Sequence, residues 1–198
     1  MSAGPTPILP QYSGANVRGI VPALLSPRGA HAPTWLPAAA AQARQVVLLV
    51  VDGLGWEQLT ERAALAPTLL SMQGAAITTV APSTTGTALT SITTGLTPGE
   101  HGIVGYRMEM SGEVLNVLRW HTARGDARRQ IEPTTTQPFE PFLGERVPVV
   151  SKAELESSAF SAAHLRGGVP CGYRASSSLP VLVGDLLRRG ERFVYAYY

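Results

Sequence analysis

Six apolar residues in a row, 46–51, end on Asp52-Gly53, and no other feature narrows so far what this chain can fold into. The run is too short to span a bilayer and stops at a turn pair. It therefore predicts a strand buried on both faces, as in a parallel sheet. Asp52 then stands at the carboxyl end of that strand, the edge where open α/β sheets gather ligands and active sites. An Asp-Gly pair is also simply a good turn, so the acid by itself does not define a site.

Downstream of this strand the periodicity alternates. A helix is expected over 56–65, a break at Pro67 with a further helical turn or two, and a strand over 75–80. A helix over 86–94 follows, with Gly95 as its left-handed terminator and Pro98 just beyond. The pair Ser111-Gly112 between two β-rich runs signals a hairpin, and 121–138 reads as a surface excursion. A short buried strand over 147–150, a helix opening near Pro180 and closing on Gly190, and a last strand in RFVYAYY complete the pattern. Strand-helix alternation of this kind predicts an α/β fold with a mainly parallel central sheet flanked by helices. Residues 1–45, rich in Pro, Gly and Ala, are expected to form an arm or loop region against the unit 46–198.

Composition excludes several classes of function. The chain of 198 residues carries a net charge of +2 with acids and bases interspersed, which gives no electrostatic case for a nucleic-acid polymer or an anionic membrane as partner. A single cysteine, Cys171, rules out an internal disulfide framework and a cysteine-rich zinc site. The first residues lack a basic, apolar leader, and no stretch approaches the length of a membrane span, so the expected address is the cytoplasm.

The second informative stretch is APSTTGTALTSITTGLTPGEHGI, 81–103. Hydroxyl residues crowd a turn between an expected strand and an expected helix. One Ser or Thr is thereby held at a helix N-terminus, where free N–H groups and the macrodipole favour anions. Ser and Thr are also ordinary N-caps.

Taken together, VDG at 51–53, PSTT at 82–85 and TGLTPGEHGI at 94–103 resemble, in order and spacing, the nucleotide pyrophosphatase/phosphodiesterase (type I phosphodiesterase) branch of the alkaline phosphatase superfamily. The likeness covers 46–108, with weaker similarity through PVVSKAELESSAF and the last strand. It implies an alkaline-phosphatase-like layered fold. It also implies a metal-dependent phosphoester hydrolase acting on a small-molecule diester or pyrophosphate. Counting back from T-G-L without gaps places the family's nucleophilic threonine on Thr85, with Thr84 the one-residue alternative. Asp52 and the Thr85 oxygen are then implied to bind one of two divalent metal ions, with zinc the expected metal. The reaction implied is a double displacement through a phosphothreonine.

One departure bears on the substrate. Where this branch commonly reads Thr-aromatic-Pro-Asn, the chain has Thr85-Gly86-Thr87-Ala88, which removes both a side-chain donor and a stacking surface for a base. A phosphonate hydrolase or phosphomonoesterase of the same superfamily is the alternative within this class, and a non-catalytic remnant the alternative outside it. A sulfatase is disfavoured, since its Cys/Ser-x-Pro-x-Arg motif has no counterpart here.

The remaining candidates are bland. His101 is expected to tie down the helix exit. His31, His121 and His164 are expected to be solvated or locally hydrogen-bonded, Asp185 a surface charge and Cys171 unactivated. The family's further metal ligands, which would follow the last strand, are not among these residues. The chain is accordingly expected to be the N-terminal half of a longer enzyme, inactive and poorly soluble alone.

Overall fold

The computed structural model describes residues 7–26 and 32–198; His31 lies outside them. The arm contributes helix α1 (Ile20–Leu25) and the short α2 (Ala38–Ala41). Strand β1 (Val46–Val50) follows, then the short helices α3 (Trp56–Glu61) and α4 (Pro67–Leu70). Helices α5 (Thr85–Thr94) and α6 (Pro98–His101) come next. Four strands, β2 (Arg107–Met110), β3 (Glu113–Asn116), β4 (His121–Thr122) and β5 (Gly125–Asp126), pair in sequence order as an antiparallel sheet. After α7 (Pro133–Thr136), strand β6 (Pro148–Val150), α8 (Ala159–His164), β7 (Val169–Pro170), α9 (Ser178–Arg188) and β8 (Phe193–Tyr197) close the chain.

The central sheet is parallel throughout, in the order β1-β8-β6-β7. The strand that is last in the chain thus lies inside the sheet, between the first strand and β6. Its residues 193–196 are all buried, and its side chains alternate between two cores. Phe193 and Tyr195 face α5 and α8 in the larger core, while Val194 and Ala196 face the α9 side in the smaller one. This is the α/β fold with a mainly parallel sheet that the alternating pattern predicts.

Two expectations need correction. The β-prone run 75–80 is not a strand of this sheet. Its backbone bonds go to the arm instead, as Thr78 N–H donates to Ala15 and Val17 N–H to the Thr78 carbonyl. Asn16, fully buried, donates from Nδ2 to Thr78 Oγ1 and the Thr79 carbonyl at 3.0 and 2.9 Å. β1 is consequently an edge strand and not one buried on both faces, since none of its residues is fully buried and Leu49 is exposed. The stretch 121–138 is also more than a surface excursion. Ala127, Ile131 and Gln137 are buried, Trp120 Nε1 donates to the Ile131 carbonyl, and Gln137 Nε2 donates to Ala163 at 2.8 Å. Isolated anchors without periodicity leave no pattern for sequence reading to detect.

Helix α5 is the buried centre. Eight of its ten residues are buried although most carry hydroxyls, because the hydroxyls bond back along the helix. Thr90 donates to Gly86, Thr93 to Leu89 and Thr94 to Thr90. Its C-terminal turn ends on Gly95 at φ 76°, where an added Cβ would also meet Pro22 Cγ at 2.6 Å; both sterics and backbone demand glycine. The arm's Arg18 guanidinium then caps the Gly95 carbonyl at 3.0 Å.

Candidate active site

Asp52 follows β1 in a turn that Gly53, at φ 76°, completes. Its backbone N–H donates to the Tyr198 carbonyl at 2.9 Å, continuing the β1–β8 ladder. Its carboxylate Oδ2 accepts the Tyr197 hydroxyl at 2.7 Å. Burial, and next this bond to a carboxylate, push the Tyr197 phenol far above its ordinary pKa, so Tyr197 remains a donor at any physiological pH.

Thr84 and Thr85 sit at the start of α5, both half-buried. Thr84 is the N-cap, in extended backbone, and no side chain caps the helix. The Thr84 hydroxyl lies 3.1 Å from that of Thr87. Thr85, the first helical residue, lines a cavity of about 130 Å³. Ser151, just past the end of β6, and Tyr197, at the end of β8, line it too. The cavity therefore opens at the carboxyl edge of the parallel sheet, and Tyr197 belongs both to its wall and to the hydrogen bond on Asp52. Asp52 itself does not line this cavity; Tyr197 is bonded to Asp52 and shares the cavity wall with Thr85. Gly86 allows α5 to come this close to the second sheet's layer: a Cβ there would meet Val117 Cγ1 at 3.1 Å.

Three wall residues escape sequence reading. Tyr195 is fully buried, and its hydroxyl has no hydrogen-bond partner; burial pushes its phenol far above the ordinary range. His164 is locally hydrogen-bonded, the second of the two expected alternatives, and it is buried, with Nδ1 2.7 Å from the Phe160 carbonyl and its ring stacked on Phe160 at 3.9 Å. A carbonyl only accepts, so Nδ1 carries the proton. Burial holds the imidazole pKa down to about 4. Ser151 completes the set. The available signal was the period-2 spacing of Tyr195 and Tyr197 in RFVYAYY, which puts both rings on one face of β8.

His101 ties down the helix exit as expected. It is fully buried, accepts the Ile103 N–H on Nδ1 at 3.1 Å and donates from Nε2 to Ser91 Oγ at 2.8 Å. Desolvation lowers its pKa to about 4. His121 is exposed and bonded locally to the Arg119 carbonyl. Asp185 pairs with Arg188 on the surface, and burial raises the Cys171 thiol above its ordinary pKa.

Among the described residues no group of three or more His, Cys, Asp or Glu side chains could hold a metal ion. Asp52 is a lone, exposed carboxylate engaged by Tyr197. The residues present do not make a zinc shell, which takes about four ligands. Among them, too, no helix is long and apolar enough to cross a membrane.

The structure is an α/β protein whose parallel sheet carries, at its carboxyl edge, an acid and a helix N-terminus without a side-chain cap, where free N–H groups favour an anion. The family's own model matches residues 46–178, well over half of the chain, and the chain belongs to the type I phosphodiesterase/nucleotide pyrophosphatase family. No curated protein and no solved structure matches it.

Proposed function

We propose that this chain carries the nucleophile of a phosphodiester or pyrophosphate hydrolase and that the nucleophile is Thr85. The observation that favours it is the wall shared by Thr85 and Tyr197, whose hydroxyl is bound to Asp52. Thr84 is the weaker choice, because its hydroxyl is engaged with that of Thr87. In the proposed reaction the Thr85 oxygen attacks phosphorus and the alcohol or phosphate leaving group departs. A phosphothreonine remains, and water cleaves it at phosphorus to regenerate the hydroxyl. The α5 N-terminus faces the anion with unpaired N–H groups throughout.

The family is normally metal-dependent, and divalent ions would supply activation of the threonine hydroxyl and charge neutralisation. Asp52 and Thr85 are the ligands this chain would offer, and others would have to complete the shell. The substrate proposed is a small-molecule phosphoester and the location the cytoplasm. The test is hydrolysis of a chromogenic phosphodiester in the shortest form of the protein that turns it over. Thr85→Ala should lower turnover at least about a thousandfold with an unchanged circular dichroism spectrum, and Thr84→Ala less than about tenfold. Near-normal turnover by Thr85→Ala overturns the assignment.

A further inference from the structure

The cavity beside Thr85 is walled mainly by hydrocarbon: Leu89 on α5, Leu155 after β6, Phe160 and Leu165 on and just past α8, and Leu118. Its polar neighbours are largely committed within the protein. Ser158 donates to Ser161 Oγ at 3.0 Å and accepts the Ser161 N–H, and Tyr197 donates to Asp52. The Tyr195 hydroxyl is sealed off, so its ring and not its oxygen meets this space. A charged or hydroxyl-rich group placed here would lose its bonds to water without replacement, whereas an apolar group gains by leaving water.

Volume narrows the occupant further. At about 130 Å³ the space lies well below the roughly 300 Å³ at which pockets for drug-sized ligands begin. It is also somewhat smaller than the roughly 150 Å³ apolar cavity that takes benzene in another protein. A nucleoside is therefore too large, and a short alkyl group fits.

One side of that limit is a tight turn over 116–120. Trp120 N–H donates to the Asn116 carbonyl at 2.7 Å and Arg119 N–H to Asn116 Oδ1 at 3.1 Å, while Trp120 itself is fully buried. The turn presses onto the start of α5, since a Cβ added at Gly86 would meet Val117 Cγ1 at 3.1 Å and Leu118 Cδ2 at 3.7 Å. Leu118 is thereby held against the residue that follows Thr85, and it shares the cavity wall with Thr85.

We propose that this cavity is the subsite for a short alkyl substituent of the phosphoester, about four carbons in bulk, and that Leu118 is the specificity-determining residue that sets its size limit. This rests on the reading of Thr85 as nucleophile and narrows it from phosphoesters in general to short alkyl esters.

The experiment titrates the 198-residue chain with 2-methylpropan-1-ol, the alcohol that such an ester would release, and follows amide and methyl shifts by NMR. Saturable shifts confined to the wall residues are expected, with a dissociation constant on the order of ten millimolar. Cyclohexylmethanol, too bulky for the space, and glycerol, too polar for the wall, should give none. Leu118 is half-buried in a turn held by backbone bonds, so changes there test the limit directly. Leu118→Ala should admit cyclohexylmethanol at least about tenfold more tightly than the unaltered chain does, and Leu118→Trp should abolish binding of 2-methylpropan-1-ol. Absence of saturable shifts with 2-methylpropan-1-ol in the unaltered chain overturns the proposal, as does equal binding of glycerol or cyclohexylmethanol. These arms decide the subsite even where a variant fails to fold. An unmoved size limit in folded Leu118→Ala overturns the role of Leu118. The titration contains no phosphoester and reads no turnover. Its failure therefore leaves the Thr85 assignment standing, and failure of Thr85→Ala to lose turnover leaves the titration standing.

Discussion

Helix α5 and the segment 52–76 both follow apolar runs that end in turns, and both contain helix, yet their surroundings are opposite. In α5 eight of ten residues are buried and three threonine hydroxyls bond back along the helix. In 52–76 no residue is buried: Leu54, Trp56, Leu65, Leu69 and Met72 are all exposed, and α3 and α4 run for six and four residues. Helices that short are marginal without packing. Local sequence chooses helix in both places, but only α5 has an opposing face from every side: the arm, the second sheet's layer and β8.

The sharpest way to break this contrast is a pair of truncations. Leu89→Ala inside α5 should cost about 2–5 kcal/mol of unfolding free energy. Leu65→Ala, at 83% exposure, should change it by no more than about 0.5 kcal/mol. Comparable losses in urea denaturation would mean that the two segments are equally packed.

A smaller effect comes from pH. His101 and His164 both have their pKa held down from 6.5 to about 4 by burial. The unfolded chain therefore takes up protons first as pH falls. Stability from these groups is complete above about pH 6.5, is lost as pH drops toward 4 and falls no further below it. Each contributes at most about 3 kcal/mol across that window. His101→Gln should weaken the helix exit yet flatten roughly half of the pH slope. An unchanged slope would show that His101 is not protected from solvent by α5.

Hydrogen exchange should separate the regions without mutation. Amides of 52–76 are expected to exchange through local opening, and those of 88–95 only through global unfolding. Matching protection across the two would erase the distinction. The smallest expected change is with metal. Since the described residues hold no cluster of three metal-ligating side chains, millimolar zinc should move the thermal midpoint of the 198-residue chain by no more than about one degree, and no phosphodiesterase turnover should exceed background. A large stabilisation lost in Asp52→Ala would reveal ligands beyond Asp52 and Thr85.

What the sequence determined by itself is local and periodic. The six-residue apolar run, the Asp52-Gly53 turn, the start and stop of α5, the Ser111-Gly112 hairpin and the strand in RFVYAYY follow from hydrophobic period and turn chemistry, which neighbouring residues settle. His101 belongs with them, since it anchors residues ten positions back and two ahead. Tertiary structure decided what depends on partners far along the chain. It set β8 between β1 and β6, and it drew Thr78 to the arm, because Asn16, 62 residues earlier, supplies the bonds. It joined Asp52 to the Thr85 cavity through Tyr197, 145 residues from Asp52. It also buried His164 and Tyr195 in one wall, the imidazole bonded to the Phe160 carbonyl and the tyrosine hydroxyl without a partner. A strand's parity shows which side chains share a face, but which cavity that face meets depends on the helices packed over it, and those contacts are made only when the sheet is assembled.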